Sequence, residues 1–132
     1  MKLAASVIIW VVALFYAYGA LVHAMNMLSM TGFDWPAAPL KWRALDVVYL
    51  ILDVIVVLGL LLSWKLGYAA FYLAAVSQII LYTVFRSWII DVPPEFAVSD
   101  EQRSYLTGLV IFHCVTLVLV TAALRIKLTD SA

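Results

Sequence analysis

ALDVVYLILDVIVVLGLLLSW, residues 44–64, decides the fold. A hydrocarbon core about 30 Å thick needs roughly 20 apolar residues per helix, and this run is long and apolar enough to span it. It nevertheless carries Asp46 near one end and Asp53 near its middle. An ionisable group at that depth is costly, and it faces a bundle interior, a partner or a water-filled cavity. Asp53 therefore marks a candidate site inside a membrane.

Working outward, the other segments belong to the same class. The chain has 132 residues, of which 67% are hydrophobic and 12% charged. Its mean hydropathy is +1.08, far above that of soluble domains. Four apolar stretches predict helices over residues 3–25, 44–64, 66–90 and 100–128, the last with its apolar run from 106. The fold class expected is all-α: an integral membrane antiparallel four-helix bundle forming one domain, with no extramembrane module large enough for a soluble active site. The first segment has a basic Lys2 and the small-residue stretch Ala17-Tyr18-Gly19-Ala20, as a signal peptide would. Its apolar run is longer than a usual signal core, so it reads as a spanning helix. The single cysteine, Cys114, excludes an intrachain disulfide and a CxxC redox centre. A formal charge of zero without basic runs gives no basis for a nucleic-acid partner.

Four spans put Lys2, Lys65, Arg125 and Lys127 on one side and Lys41, Arg43 and Arg103 on the other. The positive-inside rule then places both termini in the cytoplasm. Residues 26–43 read as an outer surface loop, where Pro36 and Pro39 prevent regular helix and Trp35 and Trp42 suit the headgroup zone. Trp64-Lys65-Leu66-Gly67 reads as a tight inner turn. Pro93 and Pro94 end the third helix, and Ser99 with Gln102 reads as a capping box opening the fourth. Gly59, Gly108 and the Ala69, Ala70, Ala74, Ala75 group permit close helix approach.

Depth and facing gather the polar residues. Counted inward from Ala44 and Tyr105, Asp53 and His113 lie nine and eight residues deep, one level at about 1.5 Å per residue. Gln78 and Tyr82 reach similar depth from the opposite direction. Asp46, Tyr49 and Asp53 share one helical stripe, and Gln78, Tyr82 and Arg86 share another. His23 and Asn26 lie above or beside them. This predicts an Asp46–Arg86 ion pair near the surface, with Asp53 bonded to Tyr82, Gln78 or His113 below it. Tyr16, Tyr18 and Trp10 read as lipid-facing or packing aromatics.

Three functions fit such a site. A lipophilic small molecule with a polar head, such as a quinone, would be held by His23, Asn26, Asp46, Tyr49, Gln78 and Arg86. Asp53, Tyr82 and His113 would then form an acid–base set if the protein is an enzyme acting on a lipid or quinol. Alternatively His23 and His113 ligate a haem, although their spacing is not diagnostic. In the third reading the chain is an accessory subunit whose polar stripe meets a membrane-protein partner. The order of features resembles the DoxX-like group of small four-helix membrane proteins: Tyr18-Gly19-Ala20-Leu21-Val22-His23 closing the first helix, then a surface loop, then Val57-Leu58-Gly59-Leu60-Leu61-Leu62 before a basic turn and an alanine-rich helix. That resemblance implies a link to quinone-dependent redox systems or to maturation of partner proteins, and it transfers no catalytic motif. Residues 91–103 and Asp53 do not map onto its pattern.

Overall fold

The computed structural model describes residues 2–129, with side chains from 3 to 126. The described residues are helical, without strands. The elements are α1 (Lys2–Met27), a 3-10 turn (Trp35–Ala37), α2 (Leu40–Leu61), α3 (Lys65–Thr83), α4 (Arg86–Ile90), a second 3-10 turn (Pro94–Phe96) and α5 (Asp100–Thr129). In α1, α2, α3 and α5 the stretches Leu3–Met27, Leu40–Leu61, Lys65–Thr83 and Asp100–Ile126 are long and apolar enough to cross a membrane.

The ends of α1 and α2 share one device. After Met27 and after Leu61 the chain runs through one further residue into a serine of positive φ, Ser29 at 55° and Ser63 at 57°. The next amide then reaches back five residues, Met30 to the Met25 carbonyl at 2.9 Å and Trp64 to the Gly59 carbonyl at 2.8 Å. This is the Schellman closure, usually built on glycine. The connection between α2 and α3 is therefore residues 62–64, and Gly67 lies inside α3 instead of in the turn. Helix α2 begins at Leu40, four residues before the expected start, because Pro39 caps it and its carbonyl accepts the Trp42 amide at 2.9 Å. The capping box at α5 forms as expected: the Ser99 amide donates to Gln102 Oε1 at 2.8 Å and the Gln102 amide to Ser99 Oγ at 3.2 Å.

The stretch 66–90, expected as one helix, is broken. Helix α3 stops at Thr83, and α4 restarts at Arg86 after Phe85 with φ −98° and ψ 15°. Neither glycine nor proline marks the break. The Thr83 hydroxyl donates back to the Ile79 carbonyl at 2.6 Å, a bond that tends to bend helices.

Helix α1 packs on α2 and α5, and α3 packs on the same two, so the four long helices close a ring. The centre is apolar, with Ile9, Val56, Leu60, Phe71 and Val120 almost wholly buried. At one end α2 and α3 touch backbone to backbone. A Cβ built on Gly59 would stand 2.0 Å from the Gly67 Cα, and one built on Gly67 2.1 Å from the Gly59 Cα. No other residue fits at either place.

The opposite end is closed by the connections. The Trp42 indole donates to the Ile89 carbonyl at 2.9 Å, and its ring lies edge-on to Phe33 and Phe96. The Lys41 ammonium donates to the carbonyls of Trp88 and Asp91. These contacts bring the loop after α1, the start of α2, α4 and the second 3-10 turn together over the site.

Candidate functional site

Asp46 is the hub of this end. It is 6% exposed, and all its neighbours donate to it. Its Oδ1 accepts from His23 Nδ1 at 2.8 Å and Asn26 Nδ2 at 2.9 Å, and its Oδ2 accepts from Trp35 Nε1 at 2.9 Å. Three polar contacts satisfy a buried carboxylate that has no lysine or arginine partner. They also tie α1 and the 28–39 loop to α2. Trp35 folds into this hub instead of outward, and its own amide donates to Ser29 Oγ at 3.0 Å.

The expected Asp46–Arg86 ion pair is absent. Arg86 donates to Thr107 Oγ1 at 2.9 Å and to the Arg103 carbonyl at 2.5 Å, both on α5. The break at residues 84 and 85 accounts for this, because it turns Arg86 off the Gln78–Tyr82 stripe. Arg86 therefore stays out of the polar cluster, while its two stripe neighbours face it.

Asp53 lies two turns below Asp46 and is 3% exposed. Its expected bonds to Tyr82, Gln78 or His113 do not form. Instead Oδ2 lies 3.9 Å from His23 Nε2, and Oδ1 is buried without a hydrogen-bond partner. Gly19 makes room for the carboxylate: a Cβ there would come within 2.7 Å of Asp53 Oδ2. His23 thus stands between two carboxylates, with Nδ1 on Asp46 and Nε2 toward Asp53. Its ring stacks on Tyr49 at 6.1 Å and 21°. Tyr49 is bonded in turn to Ser77 Oγ at 2.9 Å, whose hydroxyl donates to the Ala74 carbonyl.

His113 forms a separate node. Gln78 Oε1 accepts from its Nε2 at 3.0 Å, which leaves Nδ1 to accept from the Tyr16 hydroxyl at 3.4 Å. The Gln78 carbonyl thereby assigns the donor role to Nε2. Gln78 and His113, expected at similar depth as alternative partners of Asp53, are bonded to each other instead, and Tyr16 is the residue of this node that sequence reasoning missed. A haem axial ligand needs a ring nitrogen free to face the iron. Both nitrogens of His113 are taken within the bundle, so the His23–His113 pair does not fit a haem. Among the described residues no cluster of His, Cys, Asp or Glu is placed to hold a metal.

Between the two nodes lies a cavity of about 580 Å³. His23, Asn26, Asp46, Tyr49, Asp53, Gln78, Tyr82 and His113 all line it, so all the expected site residues except Arg86 share one space. Tyr82 makes no side-chain hydrogen bond among those described. The wall between α1 and α5 is incomplete. Tyr18 and Tyr105 line it although each is more than half exposed, and a Cβ on Gly108 would meet nothing within 4 Å. Apolar walls converging on a few fixed polar groups are the usual form of a small-molecule site.

Comparison with known proteins finds no matching family model, no matching curated protein and no matching solved structure.

Proposed function

We propose that this chain is a multi-pass membrane protein whose cavity binds a small lipophilic molecule with a polar head. Its four long helices run antiparallel across the bilayer with both termini in the cytoplasm. The outward faces support immersion in hydrocarbon: Leu3, Leu14 and Val118 are each about two-thirds or more exposed, at 79%, 67% and 69%. One observation carries the binding reading. The cavity is apolar over most of its wall and is lined by Asp53, whose Oδ1 is a buried acceptor without a hydrogen-bond partner among the described residues. The gap between α1 and α5 would open sideways into the lipid, where a lipophile is dissolved. The DoxX-like resemblance supports a noncatalytic subunit of this kind, serving a quinone-linked redox or assembly system beside a membrane-protein partner.

The test is mass spectrometry of an organic extract of the purified protein beside its Gly108→Trp variant. Gly108 faces open space, so the indole is accommodated and obstructs the gap. A stoichiometric lipophile in the wild type that is lost from the variant is the expected result. Bulk phospholipid alone in both samples rejects the reading.

A second reading rests on one contact. Asp46 fixes the His23 Nδ1 proton, so Nε2 is the basic nitrogen turned toward Asp53, a base held by an orienting carboxylate. The protein would then be an enzyme moving a proton on a bound lipid or quinol. His23→Ala would abolish turnover of such a substrate while leaving the extracted lipophile in place.

A further inference from the structure

The cavity has a sign. Two carboxylates line it, and among the described residues no lysine or arginine does. Arg86 is bonded to α5 and Lys41 to the carbonyls of Trp88 and Asp91, while Arg43, whose Nε is buried without a hydrogen-bond partner, lies outside the cavity lining with its guanidinium 5.9 Å from the Trp35 ring centre. Of the two histidines, His113 has both ring nitrogens in contact with Gln78 and Tyr16. His23 gives its Nδ1 proton to Asp46, and its Nε2 stands 3.9 Å from Asp53, beyond hydrogen-bond length. Asp46 is satisfied by three donors, whereas Asp53 Oδ1 has none.

What Oδ1 lacks is a donor, and what the cavity lacks is a positive charge. A quinone offers only carbonyl acceptors and would leave Oδ1 unmet. A protonated amine supplies both the N–H and the charge, and a charge-assisted bond is roughly twice as strong as a neutral one. The surrounding walls also suit a cation. Tyr49 and Tyr82 also line the cavity, and Phe15 and Phe112, their ring centres 5.2 Å apart, lie on the α1 and α5 walls. Aromatic faces attract ammonium groups, more strongly where water is excluded.

We infer that the ligand is a lipophilic amine whose ammonium N–H is held by the Asp53 carboxylate, with its apolar body lying between α1 and α5 against Phe15 and Phe112. This rests on the lipophile-binding reading and narrows it to a cationic class.

The experiment uses the full chain in phosphatidylcholine nanodiscs and equilibrium dialysis, with empty nanodiscs subtracted. The probes are N,N-dimethyldodecylamine and dodecan-1-ol, which share a tail and differ in head group. The expected result is saturable amine binding at least tenfold tighter than alcohol binding. Asp53→Asn should remove that preference. Equal binding of both probes by the wild type overturns the cationic inference and leaves the pocket intact, because Asp53 would then act as a neutral acid toward hydroxyl lipids. Retention of the preference in Asp53→Asn also overturns it. If neither probe binds saturably, the pocket reading fails as well. The wild-type comparison decides the matter even if the variant does not fold.

Discussion

Replacing Asp46 by Asn tests the hub directly, since the side chain keeps its shape and loses its charge and one acceptor. In the native protein one oxygen accepts from His23 and Asn26 and the other from Trp35, all at 2.8 to 2.9 Å. An asparagine amide presents one oxygen and one NH2, so either Trp35 Nε1 or the His23–Asn26 pair meets a donor. Leaving one buried donor unsatisfied costs about 1–3 kcal/mol, and converting the remaining charged bonds to neutral ones costs about 1 kcal/mol more. The expected loss is about 2–4 kcal/mol, read by SDS titration in mixed micelles. A double-mutant cycle with Trp35→Phe isolates the indole contact. With no Nε1–H to offend, Asp46→Asn should cost about 1–2 kcal/mol less in the Trp35→Phe background, and Trp35 emission should shift red in the Asp46→Asn single variant as the loop leaves the hub. Costs that add within about 0.5 kcal/mol would refute the idea that the loop is held by that carboxylate.

Three further outcomes follow from the geometry. Arg86→Gln should cost only about 1 kcal/mol, and exchanging the Asp46 and Arg86 charges should recover nothing, since Arg86 bonds to α5; recovery in SDS titration would restore the ion pair. Gln78→Leu should destabilise by about 1–3 kcal/mol by stranding His113 Nε2–H, and Tyr16→Phe by less, because its bond is long at 3.4 Å; the reverse order would contradict the assigned tautomer. Gly59→Ala should cost about 3 kcal/mol or more by forcing α2 off α3, since its Cβ would stand 2.0 Å from the Gly67 Cα. A neutral effect of that methyl on unfolding would disprove the contact.

The four long helices and the residues that gather at the cavity were legible because hydropathy and depth are properties of a run, and every member of a run contributes to them. The Asp46, Tyr49, Asp53 stripe follows from helical periodicity, and the common depth of His113 and Gln78 from counting inward along their helices. Pairing between stripes was less legible. It depends on whether a helix continues, and α3 stops at Thr83 without proline or glycine, which removed Arg86 from the site. Trp35 and Tyr16 were hidden for a different reason. An amphipathic aromatic suits an interface as well as a buried hydrogen bond, and only the fold of residues 28–39 and the position of His113 choose between them. Ser29 and Ser63 in the left-handed region carry no sequence signal comparable to glycine. Gly67 beside Lys65 looked like punctuation, and its role is visible only against Gly59.

That glycine contact also bears on how the cavity changes size. With no side chains between them, Gly59 and Gly67 leave α2 and α3 no compressible material at that level, so the pair works as a fulcrum. Asp46 lies about 20 Å along α2 from this point at roughly 1.5 Å per residue. A tilt of about 5° there would move the hub by nearly 2 Å while the fulcrum itself stays still, at that rise per residue. A tilt about this contact would therefore be felt at the end that carries the carboxylates and the loop, while its pivot, Gly59 and Gly67, lies outside the cavity lining.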